Sequence, residues 1–376
     1  MKKSFKLATL FNIPVEINYS WFIILGLVVY TLANSYFPMV NPELTPPVHW
    51  FMAVIAAILL FASLLAHELS HSLVAVRHSL PIRGITLFVF GGVAHLEQEP
   101  ATPGVEFKMA IAGPAMSFFL ALVFLALTQL FYNLGLPKAL LSITNYLFIL
   151  NLMVGIFNLI PGFPLDGGRV LRAILWKYFK DLRKATAIAS GFGKGFAFFL
   201  IAFGFLNLFT GSVITGIWFI FIGLFLQEAA EVSYRQVVMK KMLGGVRVKE
   251  LMTRDVITVS PEIPLNSLVD DYFFKVRHAT FPVVEDDTVL GLITLHDIKE
   301  VPREKWAETK IRQIMIPVSR DLIINKEADA MLALAKMANN KIGRLLVLDG
   351  PKLVGILSQR DVMRLFEFKS EIEGVI

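Results

Sequence analysis

The stretch LLAHELSHSLVAVRH (64–78) places two histidines and a glutamate inside an apolar run that begins near Trp50. On a helix His67 and His71, four residues apart, lie on one face. Two imidazoles at that spacing can bind one Zn²⁺, and Glu68 between them then stands beside the open coordination position as a general base. Polar residues on an apolar helix can instead do no more than face a bundle interior or a water cavity. Each ionisable group at mid-membrane depth costs about 2.5–3.5 kcal/mol on insertion scales, so groups kept there are functional by default.

A catalytic zinc takes three protein ligands and a water. The candidate for the third lies in NLIPGFPLDGGRV (158–170), where Pro161 and Pro164 break a helix and Gly167-Gly168 lets backbone approach closely. Asp166 is the only acid in that turn. Irregular backbone at membrane depth is tolerated only where it lines a cavity or is buried in protein. An Asp at a helix start is ordinarily a cap, and that reading stands beside the ligand reading. The second and fourth apolar runs cross in the same direction, which sets His71 and Asp166 at similar depth.

Such residues need long apolar helices to hold them. Of the 376 residues 55% are hydrophobic, with 32 Phe, and the mean hydropathy is +0.63. Runs at about 18–37, 50–76, 105–131, 140–160, 185–209 and 211–229 are long enough to span a bilayer, giving about six transmembrane helices. The first starts too late, and lacks a small-residue cleavage site, to read as a signal peptide. No cysteine is present, which excludes disulfides and thiolate metal ligands. The sequence pI of about 9.3 does not call for a nucleic-acid partner, because the basic residues sit where membrane orientation wants them. MKKSFK precedes the first run, Arg77 and Arg83 follow the second, and the segments 167–184 and 234–242 follow the fourth and sixth. The opposite loops at 38–50 and 209–212 hold no Lys or Arg, and the loop after Tyr132 holds only Lys138. The positive-inside rule then predicts a multi-pass protein of the cell membrane with its N-terminus and C-terminal region in the cytoplasm.

Past Glu231 the long apolar runs stop. The segments 246–298 and 309–362 are two copies of one unit: VKELM aligns with IRQIM, and GLITLHDI with GILSQRDV. Repeats of this kind stack to bury their faces. The spacing predicts an α-helical polytopic membrane domain at 1–230, a linker at 231–245, and a soluble α/β pair at 246–303 and 309–367.

HELSH paired with a distant NLIPGFPLDGG resembles the site-2 protease family of intramembrane zinc metalloproteases. FGGVAHLEQEP (90–100), a membrane-edge strand region, and GPAMS (113–117) add to the likeness, which covers about residues 6–177. The resemblance implies one zinc on His67, His71 and Asp166, base catalysis by Glu68, and a substrate or oxyanion contact at Asn158. It also implies that the substrate is a transmembrane segment of another membrane protein. Such a segment must unwind or add as a strand, and IRGITLFVFGGVAHL (82–96) offers an edge for strand addition; a loop folded at the membrane surface is the alternative for these residues.

The C-terminal pair resembles cystathionine-β-synthase (CBS) domains. That family's nucleotide-contacting pattern, a small polar residue and an Asp three positions later, falls on Thr294 and Asp297 and on Ser358 and Asp361. HATFPVV (278–284) fits the family's core strand, whereas IGRLLVL (342–348) lacks the proline. The resemblance implies an adenine nucleotide as regulatory ligand, with a ligand-free dimerising module, and so a homodimer, as the alternative. GFGKG (191–195) has the spacing of neither phosphate-loop fingerprint and reads as close helix packing. His78 and His95 read as solvated or structural. A CBS-gated transporter or channel is the rival function, using the intramembrane His, Glu and Asp as an ion path. It leaves their arrangement in H-E-x-x-H and a proline-broken Asp turn unexplained.

Overall fold

The computed structural model describes residues 4–89, 91–96 and 99–372. The chain forms two compact units, Met1–Val237 and Val238–Ile376.

In the first unit, β1 (Ser4–Leu10) and β2 (Ile13–Asn18) make a hairpin closed by Phe11 and Asn12, both at positive φ (51° and 64°) as a two-residue turn requires. In β2, Ile13, Val15 and Ile17 are buried while Pro14, Glu16 and Asn18 are half-buried, the period-two pattern of a strand. β2 runs parallel to β3 (Ile82–Phe88), which pairs antiparallel with β4 (Gly91–Leu96), so the sheet order is β1-β2-β3-β4. Phe90, Glu97 and Gln98 of the FGGVAHLEQEP segment lie outside the described residues.

Among the described residues six helical spans are long and apolar enough to cross a bilayer. The first, Ser20–Val40, joins α1 (Ser20–Thr31), one wider turn (Leu32–Tyr36) and α2 (Phe37–Val40). The others are α3 (Pro46–Arg77), α4 (Pro103–Asn133), α5 (Lys138–Asn158), α7 (Leu182–Phe209) and α8 (Val213–Leu243). Between α5 and α7 lies the amphipathic α6 (Asp166–Phe179). The residues read as a linker, 231–245, are mostly helix: α8 runs on to Leu243, because no Pro or Gly falls between Gly223 and Gly244-Gly245.

α3 starts at Pro46-Pro47, where missing N–H groups cost nothing. Its 32 residues make a rod of about 48 Å, longer than the roughly 30 Å hydrocarbon layer. Its buried stripe recurs every three or four residues: Met52, Ala53, Ala56, Leu60, then Ser63, His67, His71 and Ala75. The first part of that stripe packs on Leu32, Phe37, Ile143 and Leu147. The alanines let neighbouring helices come close, which is how helices associate where lipid supplies no hydrophobic drive. The two histidines therefore continue a face that helix packing already turns inward.

The second unit holds two three-stranded sheets. β5 (Thr280–Glu285) and β6 (Thr288–Thr294) pair antiparallel and extend to β7 (Ile316–Pro317). β8 (Ile323–Asn325) runs parallel to β9 (Arg344–Asp349), which pairs with β10 (Lys352–Ser358). The lead segment of each copy docks on the other: Val248 N–H donates to Ala328 O (2.9 Å), and Ile311 N–H to Ile263 O (3.1 Å). The ion pairs repeat the exchange, Lys249 with Glu327 (2.8 Å) and Arg312 with Glu262 (3.1 Å). Lys310 and Arg312 hold the Glu262 carboxyl below its ordinary value, and Lys249 does the same for Glu327. Neither copy closes its core alone.

Candidate metal centre and active-site cavity

α3 brings His67 and His71 to one side, and α6 brings Asp166 to meet them. His67 Nε2 lies 3.1 Å and His71 Nε2 3.2 Å from Asp166 Oδ2, and the two Nε2 atoms are 3.2 Å apart. Both imidazoles are buried. Leu165 occupies the N-cap of α6, and Asp166, the first helical residue, turns its carboxylate to the imidazoles instead of capping. The cap reading therefore fails for Asp166, whose carboxylate joins the two imidazoles in a cluster that could hold a metal ion.

The surroundings fix how the rings present themselves. His71 Nδ1 donates to Met109 O at 2.6 Å, which leaves the Nε2 lone pair facing inward. His67 Nδ1 is 2.8 Å from Ser117 Oγ. Such outer contacts set ring orientation and tautomer at a metal. Both come from α4, where Gly113 sits directly against the two Nε2 atoms; a Cβ there would overlap both. A shared space bounded by two imidazole nitrogens, one carboxylate oxygen and a backbone without a side chain fits a small cation, and the His₂Asp donor set suits Zn²⁺.

Glu68 does not join that cluster. It faces a cavity of about 350 Å³ shared with His67, His71, Asp166, Asn158 and Arg169. One wall is β4: an added Cβ at Gly92 would come within 2.5 Å of Glu68 Cγ, so this strand presses directly on the glutamate. Ser72 also lines the cavity and is buried with an unpartnered hydroxyl.

α6 is locked in place one turn at a time. Asp166, Arg169 and Arg172 are three apart and share a face. Arg172 forms a buried ion pair with Glu106 of α4, its Nε donating at 2.6 Å, and its guanidinium lies 5.0 Å from the Phe163 ring centre. On the other side α7 abuts the proline loop, Phe163 N–H donating to Ala189 O at 3.2 Å. This contact, with Gly193 against Phe163, accounts for GFGKG as packing. Lys194 of the same segment pairs with Glu231 of α8.

Asn158 reaches the cavity, with its amide nitrogen donating back to Val154 O at 3.1 Å. His78 bonds to Val74 O (2.9 Å) and His95 to Thr86 Oγ1 (3.0 Å), structural roles both. The CBS-type residues belong to the second unit and cap helices. Asp297 Oδ2 accepts from Thr294 N–H (2.8 Å) and Oγ1–H (2.7 Å), and Asp361 Oδ2 from Ser358 N–H (2.9 Å) and Oγ–H (2.6 Å).

Gly113, Ser117, Arg169 and the Glu106–Arg172 pair were not anticipated as site residues. Gly113 and Ser117 left a weak signal, small residues four apart on one helix face.

Known proteins are similar to this chain along nearly its whole length. Peptidase family M50 matches residues 55–142 and 135–202, and the CBS domain matches 248–304 and 311–367. A Synechocystis protein provisionally named a zinc metalloprotease is 36% identical over 371 residues, covering 97% of this chain and 96% of its own length. A zinc metalloprotease of Methanocaldococcus jannaschii is 32% identical over 378 residues, covering 99% of this chain and all (100%) of its own. The solved site-2 protease from Methanocaldococcus jannaschii shares 33% identity with a TM-score of 0.42, over 62% of this chain and 95% of that one. With that relationship spanning nearly its full length, the chain belongs to peptidase family M50 and carries a C-terminal pair of CBS domains.

Proposed function

We propose that this site-2-type intramembrane zinc metalloprotease holds its zinc on His67, His71 and Asp166 and uses Glu68 as general base to cut within a transmembrane segment of its membrane-protein substrate. Two ring nitrogens and one carboxylate oxygen converge on a buried space opposite Gly113, with Glu68 on the adjoining cavity, and that convergence carries the proposal. Zinc, when bound, supplies Lewis acidity that polarises a carbonyl and makes water acidic near neutral pH.

The chain's own residues do the rest. Met109 O and Ser117 Oγ hold the imidazoles in orientation. Glu68 takes a proton from the attacking water and later delivers it to the departing amine, so the carbon–nitrogen bond breaks without release of an unprotonated amine. β4 pairs only with β3 among the described residues and its Gly91, Gly92, Val93 and Ala94 line the cavity. An unwound substrate segment adds to that edge as a strand. Asn158 supplies a further polar contact to the bound segment.

The placement of Lys and Arg supports a cytoplasmic N-terminus and cytoplasmic repeats at 246–303 and 309–367. Because the chain has no cysteine, single introduced cysteines read out this topology with a membrane-impermeant thiol reagent. In the second unit we assign the Asp297 and Asp361 carboxylates, with Thr294 and Ser358, to the ribose of an adenine nucleotide; the same unit offers a face for homodimerisation.

Glu68→Gln tests the central assignment. Cleavage of a transmembrane-segment peptide by the purified protein should fall by about 10²–10⁴-fold, while zinc content by metal analysis stays at the wild-type level. Residual proteolysis close to wild type removes Glu68 as the base. An ion flux that survives this substitution and follows an ion gradient would instead support the transporter reading.

A further inference from the structure

Arg169 is the one strongly charged group of the cavity that the proposed chemistry leaves without a task. It stands one turn past Asp166 on the same face of α6 and lines the cavity with Glu68, Asp166 and Asn158. Its neighbour in the stripe, Arg172, is paired with Glu106. Arg169 is half-buried, and among the described residues its guanidinium makes no hydrogen bond and no ion pair. The acids around it are Glu106, Asp166, Glu99 and Glu68, the last already assigned as the base. Glu106 gives Oε1 to Arg172, its buried Oε2 having no hydrogen-bond partner among the described residues, and Asp166 gives Oδ2 to the two imidazoles. Glu99 has interactions of its own.

A guanidinium carries five N–H donors in a fixed fork and stays protonated at any working pH. Leaving it unpaired in a site walled by protein is costly. A group kept there at that cost is arranged to meet something that enters the cavity. A peptide segment brings carbonyl oxygens. One of them, on the carbon under attack, takes up negative charge as the reaction proceeds. A permanent cation gains far more from that oxygen at the transition state than from the neutral carbonyl before it, which is the condition for raising kcat. Asn158 is the weaker candidate, because it is neutral and turns its amide nitrogen back to Val154 O.

We propose that Arg169 is a catalytic residue that donates to the carbonyl oxygen of the scissile peptide bond as that oxygen becomes negative. The inference rests on the protease reading above. Protons balance without it: water gives one to Glu68, Glu68 passes it to the amine, a carbon–oxygen bond forms, the carbon–nitrogen bond breaks, and Arg169 keeps its charge throughout.

The test uses the full chain purified in detergent, as wild type, Arg169→Gln and Arg169→Lys. Three quantities are measured: zinc content, kcat and KM on a transmembrane-segment peptide, and affinity for a peptidyl phosphinate, whose tetrahedral anion imitates the transition state. Arg169→Gln should lose about 10²–10³-fold in kcat. KM should stay within about threefold and phosphinate affinity should fall in parallel with kcat/KM. Arg169→Lys, a point charge in place of the fork, should recover part of the rate. Zinc content should be unchanged in both. An unaltered kcat, or a loss confined to KM, overturns the proposal, the second pointing to a ground-state contact with an acidic substrate side chain. Zinc loss in both variants also overturns it and makes Arg169 a positioning residue for Asp166. A wild-type chain that holds zinc, binds no phosphinate and cuts nothing sinks the protease reading, and this inference with it.

Discussion

A methyl group at position 113 would overlap both Nε2 atoms of the His67, His71 and Asp166 cluster. Gly113→Ala should therefore weaken zinc binding by at least about 10–100-fold, the range for disturbed outer contacts. Ser117→Ala removes only the His67 Nδ1 partner and should fall at the lower end of that range. Asp166→Ala, which removes a proposed ligand, should exceed both. Equilibrium dialysis against a zinc chelator ranks the three; full, tight zinc in Asp166→Ala would mean another residue is the third ligand. At this scale the histidines and Glu68 were legible because their spacing is itself the helix period. Asp166 was legible because it is the only acid in a turn that had to be buried or line a cavity. Gly113 was not, because its smallness matters only against side chains from another helix, and GPAMS reads equally well as ordinary small-residue packing. Arg169 was hidden for a different reason: it stands among the Lys and Arg of 167–184, which read together as a positive-inside signal.

The six apolar spans followed from length and hydropathy, and the β3–β4 region from its strand-like run. The N-terminal hairpin did not, although Ile13, Val15 and Ile17 alternate, because six residues of alternation against a long apolar run are easily absorbed into the run's edge. The continuation of α8 to Leu243 was missed because charge, not helix propensity, marked the end of the membrane segment. For β4, the element with the most direct bearing on substrate, neighbouring residues of a strand point their N–H groups to opposite edges. Of Val93→Pro and Ala94→Pro, one therefore removes an outward N–H and the other breaks pairing with β3. If the substrate adds as a strand, the outward variant should raise KM by several-fold while retaining zinc, and hydrogen exchange across β3 should stay slow in it. The inward variant should instead show fast exchange at β3. Unchanged KM in both variants would turn β4 from a docking edge into a passive wall of the cavity.

At the scale of the whole chain, α8 runs unbroken across the boundary between the two units. The internal repeat was legible because both copies keep their lead segment and their closing strand–helix corner, and the exchanged pairs, Lys249 with Glu327 and Arg312 with Glu262, show why a single copy would not suffice. Each corner ends in a cap in which the Asp spends Oδ2 on the backbone N–H and hydroxyl of the Thr or Ser three residues before it, leaving Oδ1 outside the cap. Were the pair to bind a ligand, covalent linkage would make its coupling to the protease intramolecular. A nucleotide can shift proteolysis only through its differential affinity for two states of the chain, typically 1–3 kcal/mol or about 5–150-fold. The full-length protein in detergent should therefore bind at least one of ATP, ADP and AMP in titration calorimetry, and saturation should change kcat/KM within that range. Zinc content should not change. Asp297→Ala combined with Asp361→Ala should remove both the heat and the rate change, since the ribose loses its acceptors. No heat with any of the three nucleotides would reduce the repeats to a dimerising or substrate-docking module, and sedimentation of the same sample would then say which.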